Sequence, residues 1–304
     1  MGKTLIVDFQ NFAHRCKAGF SNEGTAFLFK FVRNLRALVA EHSPTSLVLV
    51  KEGSPAHRYE LFKEYKGQRK VKEDDPKLKE KWAELMGFKE KADEAILFAL
   101  KNLEVTVLRH GRLEADDLIF NYARFLAEKG EEVVVASNDK DFVQLLAKDD
   151  EFPSTHLIKV YDTGAKDFRK PLVDANETCR LTRKQVNWVK ALTGDKSDNI
   201  PGVPGFGPKK AMSAVQVLDW DPATALSPES LEIFERNVKL VEFAQMSEED
   251  WYRVEAQRGK WDPAALMIDF HAFGFASLTK DKTLNSYYDT FGGMEPAKLP
   301  VQTR

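Results

Sequence analysis

Cysteine is almost missing from this chain: Cys16 and Cys179 stand far apart and in no metal-spaced pair, which argues against a disulfide framework and against a cysteine zinc site. Charge of a single sign is missing too, since 45 Lys and Arg face 47 Asp and Glu, so net charge does not advertise a polyanionic partner. No uninterrupted apolar run is long enough to cross a bilayer, and Met1 to Asp8 reads as a short strand ending in a charge rather than a signal peptide. The protein is expected in the cytosol, with no membrane partner. Repeats, low-complexity tracts and Ser- or Gly-rich linkers are lacking as well, and with them any sign of independently moving parts. What remains is an ordinary soluble composition, 43% hydrophobic and 30% charged over 304 residues, sufficient to bury a substantial core in one large domain or two.

Short apolar runs suited to buried strands fall at 5–8, 46–50, 105–108, 133–136 and 157–161, and amphipathic stretches of helical length lie at 26–41, 76–103 and 115–129. This alternation predicts an α/β fold over residues 1–180, a central, mainly parallel sheet flanked by helices. In such sheets functional groups gather beyond the carboxyl ends of the strands. From about residue 181 to 304 the pattern turns helical, with candidate helices at 182–192, 208–217, 228–241 and 262–273 and little strand signal. Trp251, Trp261, Phe270, Phe273 and Phe275 read as core aromatics of that closing region, and 295–304 as a fraying tail. Basic residues recur from Arg58 to Lys91, but Glu73, Asp74, Asp75 and Glu80 interrupt them, and a solvated helical face accounts for much of the run.

Acidic residues fall where the strand-end rule places a site. Asp8 ends the first apolar run; Glu114-Ala115-Asp116-Asp117 follows the third and opens a helix; Asp139 and Asp141 follow the fourth. Glu114 and Asp117, three apart, can share a helical face, whereas Asp139 alone would pass for a helix N-cap. Converging carboxylates repel one another and are costly unless a divalent cation neutralises them. Oxygen ligands without Cys or His favour Mg²⁺ or Mn²⁺ over zinc, and a pair of such ions supports phosphodiester hydrolysis.

The segment Gly194 to Ala211 fuses two chemistries. Asp195 and Asp198 add carboxylates, while Gly205 and Gly207 permit close backbone approach and Pro208 is placed to open a helix. With Lys209 and Lys210 on its first turn, that helix start suits a sugar-phosphate backbone held without base readout. A plain Gly/Pro turn between helices would carry the same residues. Phosphate binding beside a carboxylate metal site implies a nuclease.

With these residues assembled, the chain resembles the 5′ nuclease family: flap endonucleases, the 5′-to-3′ exonuclease domain of bacterial DNA polymerase I, and stand-alone bacteriophage 5′ exonucleases. The likeness runs to roughly residue 245 through five ordered pieces: Ile6-Val7-Asp8, Tyr65-Lys66-Gly67-Gln68-Arg69, Glu114-Ala115-Asp116-Asp117, Ser137-Asn138-Asp139-Lys140-Asp141, and Gly194 to Ala211. The resemblance implies a PIN-like α/β region with a helical arch near 67–95, through which a free 5′ strand passes. A helix-three-turn-helix element near 185–217 would follow, gripping duplex through Gly205, Gly207, Lys209 and Lys210, with K⁺ in the 202–207 hairpin and Tyr65 also at the DNA. By the same likeness Asp8, Glu114, Asp116 and Asp117 would hold one Mg²⁺ or Mn²⁺, Asp139, Asp141, Asp195 and Asp198 would complete a second site, and Lys66 and Arg69 would lean on the scissile phosphate. The implied activity is a two-metal, structure-specific 5′-3′ exonuclease or flap endonuclease on DNA with a 5′ single-strand/duplex junction. The expected protein is a monomeric, free-standing nuclease of a bacterial or phage-infected cytosol, since the chain leaves no room for a polymerase.

One position departs from the family pattern. An aspartate usually ends the second strand seven residues before an arginine; counting back from Arg58 reaches Lys51, with Glu52 beside it. Glu52 is expected to take over; failing that, the site has lost a carboxylate, and a Lys51 ammonium would compete with a cation. Two other readings stay open: a DNA-structure-binding protein of the same fold with an impaired metal site, and a metal-dependent phosphatase on small substrates, which leaves Gly205 to Lys210 unexplained.

Overall fold

Near-continuous Val/Ile/Leu runs mark strands covered on both faces, and the structure has such a sheet at its centre. The computed structural model describes residues 2–17, 25–67, 76–174, 179–217 and 220–300; for 76–83 it describes the helical backbone alone. Strand β1 (Lys3–Asp8) leads into helices α1 (Phe9–Lys17) and α2 (Ala26–His42), and β2 (Ser46–Lys51) into the short α3 (Ala56–Leu61) and the long α4 (Pro76–Asn102). Next come β3 (Thr106–His110), α5 (Ala115–Glu128), β4 (Glu132–Ala136), two 3₁₀ turns, β5 (Ile158–Asp162) and the two-residue β6 (Asp167–Phe168). A helical stretch follows: α6 (Arg183–Thr193), α7 (Pro208–Val215), α8 (Pro222–Ala225), α9 (Pro228–Val241) and α10 (Glu248–Tyr252). The chain closes with β7 (Val254–Arg258), α11 (Pro263–Ala272) and α12 (Asp281–Phe291).

The sheet order is β6-β5-β4-β1-β2-β3-β7. Strands β1 to β5 pair in parallel, and β6 and β7 add antiparallel edges. The chain steps from β1 to β2 and β3 on one side, then returns to β4 and β5 on the other. Strand order therefore reverses between β1 and β4, where open α/β sheets form their binding crevice.

Alternation along each strand sorts the core into two layers. Leu5, Val7, Leu47, Leu49 and Val107 pack with Phe31, Leu35, Ala95 and Ala99, while Ile6, Val48, Val50, Val133 and Val135 pack with Leu118, Ile119 and Tyr122 of α5. The sequence pattern gives little strand beyond residue 181, yet β7 pairs with β3. Of its residues only Val254 is buried and Glu255, Gln257 and Arg258 are exposed, so this edge strand carries no apolar run to announce it. Helices α11 and α12 return Leu266, Phe270, Tyr287 and Phe291 to the layer that holds α2 and α4. Phe270 and Phe275 are core as expected, whereas Phe273 is 38% exposed. A further core of Leu192, Ile200, Val203, Ala211, Phe234 and Leu240 ties α6, α7 and α9 together and takes in Tyr65. Among the described residues no helix is long and apolar enough to cross a membrane.

Candidate carboxylate metal centre and helical hairpin

The carboxyl ends of β1, β2 and β4 bring Asp8, Glu52 and Asp139 into electrostatic range of Asp116 at the start of α5, and Asp8 into range of both Glu52 and Asp139. Asp8 ends β1 in the position that the β1/β4 reversal exposes. Its Oδ1 accepts from the Asn11 amide at 3.1 Å and its Oδ2 from the Ser137 hydroxyl at 2.8 Å. The same Ser137 oxygen accepts from the Asp139 amide at 3.1 Å, so one hydroxyl registers the two aspartates. Asp139 in turn caps the 3₁₀ turn after β4, its Oδ1 accepting from the Asp141 amide at 2.8 Å. Asp116 lies in the first turn of α5, where a helix start favours negative charge.

These groups are held against their own charge. Burial, aided by the Asp139 charge, pushes the Asp8 carboxyl up to about 6. Burial likewise raises Asp116 well above the usual carboxylate range, and the charges of Asp8, Asp139, Glu52 and Glu114 add to the effect. Glu52 reaches about 7, through crowding by the surrounding protein and then repulsion from Glu114 and Asp8, although part of its side chain remains exposed. Such mutual destabilisation is what a bound cation relieves.

Lys51 and Glu52 part company at the end of β2. Lys51 Nζ turns to Asp93 Oδ1 on α4 at 2.7 Å, while Glu52 couples to the carboxylates. Gly53 makes the turn feasible: a Cβ there would lie 1.9 Å from the His110 carbonyl oxygen and 2.1 Å from that of Leu113.

Three sequence assignments, those of Asp117, Tyr65 and Glu114, change on inspection. Asp117 is 0% exposed, and its oxygens are consumed by Arg58 Nη1 and Nη2, each at 2.8 Å, and by the amides of Ala244 at 2.9 Å and Glu114 at 3.3 Å. It anchors the fold instead of offering a free oxygen to a metal. Tyr65 is 2% exposed, and its one hydroxyl proton is shared between Glu114 Oε2 and Asp198 Oδ2, both 3.1 Å away, which removes it from any surface that DNA could touch. Glu114 itself is engaged on both oxygens, by Lys66 on one and by Arg58 and Tyr65 on the other. Lys66 also stands 4.0 Å from Asp198 Oδ1. Arg69 lies outside the described residues, as do the other residues of 68–75 in the expected arch of 67–95, while 76–95 of that stretch form the first part of α4.

A second acidic group joins the α/β region to the hairpin. Lys190 of α6 pairs with Asp141 and, at 3.2 Å, with Asp195. Burial works against this ammonium, yet the two carboxylates hold its pKa above the ordinary lysine value. Burial raises Asp141, with Lys190 opposing; for Asp195 burial is outweighed by the Ser197 hydroxyl and Lys190, which hold it low. Sequence reasoning missed Lys190, Arg58 and Ser137, because a lysine in an amphipathic helix, an arginine in a basic run and a serine in a turn have bland readings that only tertiary placement overturns. Among the described residues, no three Asp, Glu, His or Cys side chains form a ready-made ion cage. Lysines balance part of the cluster. The donors that remain, Asp8, Glu52, Asp116 and Asp139, are all oxygen, which fits Mg²⁺ or Mn²⁺.

The hairpin between α6 and α7 is built on backbone contact. Asp195 and Ile200 exchange both hydrogen bonds, at 2.9 and 2.8 Å, and a Cβ on Gly202 would lie 2.5 Å from the Thr193 carbonyl oxygen. Pro208 opens α7, and Gly205, Gly207, Lys209 and Lys210 are all exposed at its start. The hairpin is locked to the segment that carries Tyr65 and Lys66 by the Lys66 amide donating to the Asp198 carbonyl at 2.9 Å and by Asn199 donating to Glu64 O at 2.8 Å.

Comparison with known proteins agrees with this architecture. A bacteriophage T5 flap endonuclease, solved with DNA and metal ions, superposes with a TM-score of 0.60 over 95% of this chain and 98% of that one, at 21% identity, a likeness of fold. In sequence, the chain is 31% identical over 215 residues to flap endonuclease Xni of Shewanella amazonensis, covering 69% of this chain and 76% of that protein. It is 33% identical over 223 residues to DNA polymerase I of Bacillus caldotenax, covering 70% of this chain but spanning only 23% of the polymerase. Residues 3–180 match the family described as the 5′-3′ exonuclease, N-terminal resolvase-like domain. The chain belongs to the 5′ nuclease family.

Proposed function

We propose that this protein is a divalent-metal-dependent, structure-specific 5′ nuclease, which hydrolyses a DNA phosphodiester near the junction of a 5′ single strand with duplex. The observation that carries the reading is the set Asp8, Glu52, Asp116 and Asp139 gathered at the sheet's switch point, where burial and the neighbouring charges raise the proton affinity of Asp8, Glu52 and Asp116. These residues would hold Mg²⁺ or Mn²⁺, which when bound would supply an activated water and neutralise charge at the reacting phosphate. Asp141, Asp195 and Asp198 would complete the position of the second ion together with Asp139, with Lys190 setting the spacing of Asp141 and Asp195. Lys66, released from Glu114, would stabilise charge on the phosphate, with Arg69 as its proposed partner. Gly205, Gly207, Lys209 and Lys210 would hold the duplex by its backbone, and a K⁺ in the 202–207 hairpin would suit the same contact.

The test is cleavage of an end-labelled 5′-flap substrate with titrated Mg²⁺ or Mn²⁺. Cutting near the junction is expected, abolished in Asp116→Ala and Asp139→Ala while DNA binding persists. Persistent binding without cleavage at every metal concentration would instead establish the impaired-site reading, for which Lys51 is the motivating residue.

A further inference from the structure

A second basic surface lies away from the hairpin, on the outer edge of the sheet at β5 and β6. Two depressions, of about 490 and 390 Å³, share Phe168 and Arg169 as a common wall. The first begins at Lys140, next to Asp139 of the carboxylate cluster, and includes Lys170. The second is lined by His156, Lys159 and Arg180 and by no carboxylate. Lys140, Lys159, Lys170 and Arg180 are all exposed, and none forms an ion pair among the described residues. The two acids on the first depression are already occupied. Asp162 takes Arg169 at 2.6 Å and the amides of Gly164 and Ala165, and Asp167 caps the Phe168 amide at 2.7 Å.

Phe168 stands at the meeting point. It is 43% exposed and rests edge-on against Tyr161 and His42, with centroids 5.4 and 5.7 Å away, so its outer side is open. Arg169 links the groove inward: its Nη2 donates to the Asn138 carbonyl at 2.6 Å, one residue before Asp139. Spare cations along a concave path with an open aromatic between them form a track for a single nucleic-acid strand, whose phosphates meet the cations and whose bases can stack. A duplex would need a broader surface.

We propose that this β5–β6 groove binds a single-stranded arm of the nucleic-acid substrate, leading it to or from the carboxylate cluster independently of the α6–α7 hairpin. The assignment of that arm to a substrate rests on the nuclease reading; the binding does not, and it can be measured without metal. The experiment is fluorescence anisotropy in EDTA, using a labelled single strand of about 12 nucleotides, within the usual span of such grooves, and a labelled duplex of equal length. Lys159→Ala/Arg180→Ala is expected to weaken single-strand binding about tenfold and to lower the salt slope by about 1.4, the share of two phosphate contacts. Duplex binding should stay within about twofold of the parent in that variant, and Lys209→Ala/Lys210→Ala should show the converse pattern. Phe168→Leu keeps the apolar contact with Tyr161 and His42 but removes the stacking face, and should cost single-strand binding at least about fivefold. Parent-like single-strand affinity and salt slope in the double variant would overturn the groove, as would equal losses on both ligands. A chain that cuts flaps without a groove effect leaves the nuclease reading standing, and a chain that binds through the groove but never cuts does the reverse.

Discussion

Arg58 grips Asp117 with both arms of its guanidinium, at 2.8 Å each, and the two side chains are 4% and 0% exposed. The remaining donors are used as well, on Glu114 at 2.6 Å, the Leu240 carbonyl at 3.0 Å and the Glu242 carbonyl at 3.1 Å. One side chain thus fastens α3 to the start of α5 and to the end of α9. It also neutralises two carboxylates, Glu114 and Asp117, at the back of the acidic cluster.

Removing that guanidinium strands buried charge. Arg58→Met should lower stability by about 3–5 kcal/mol in urea unfolding. Arg58→Lys, which keeps the charge but loses the fork, should recover only part of it. A loss below about 1 kcal/mol in Arg58→Met would show that the pair does not anchor the fold.

The raised carboxylates predict an unusual pH dependence. Asp8 titrates near 6 when folded against 3.8 otherwise, and Asp116 is shifted the same way. The folded state therefore binds these protons more tightly, and metal-free stability should fall as pH rises from about 4 to about 6, by on the order of 2 kcal/mol for Asp8 alone. Buried His42 and His110 and half-buried His57 have lowered pKa values and oppose this trend below about 6.5. Comparing the parent with Asp116→Asn cancels their contribution. In chelator at roughly pH 8, Asp116→Asn should melt several degrees above the parent, and excess Mn²⁺ should narrow the gap by stabilising the parent more. A lower melting point for Asp116→Asn in chelator would mean that the Asp116 charge is stabilised in the fold.

Strands with both faces buried, and helices with one, were readable because burial imposes a period on the residues. The acids at strand ends were readable because parallel topology makes those ends coincide. Strand β7 was not, since an edge strand with one buried valine has no period to show. Nor were the roles inside the acidic set. Asp116 and Asp117 are adjacent letters in one motif, yet one helical step turns the first toward Asp8 and the second into Arg58. Tyr65 failed similarly: a tyrosine beside lysine and arginine reads as a DNA contact until the hairpin core closes over it.

At the departure from the family pattern, Lys51 is held off the carboxylates by Asp93. Their side chains are 28% and 47% exposed, so the pair contributes less than about 1 kcal/mol. Lys51→Asp should therefore fold normally, add a carboxylate beside Glu52 and tighten Mn²⁺ binding several-fold in calorimetry, with Lys51→Met giving a smaller gain from charge removal alone. Unchanged affinity in both variants would place Lys51 outside the metal's field and make the departure irrelevant to ion binding.

Two glycines of the hairpin separate folding from contact. A Cβ on Gly202 would meet the Thr193 carbonyl oxygen at 2.5 Å and its carbon at 2.8 Å, both backbone atoms that cannot rotate away. Gly202→Ala should therefore cost about 1–3 kcal/mol and disturb the hairpin as a unit. Gly207 has an ordinary negative φ, and a Cβ there meets nothing within 4 Å. Gly207→Ala should leave the melting temperature unchanged. If a phosphate backbone packs against the start of α7, the added methyl should still weaken duplex binding several-fold, with single-strand binding and metal affinity intact. Duplex affinity equal to the parent in Gly207→Ala would move the contact away from this helix start, and leave Lys209 and Lys210 as solvated charges.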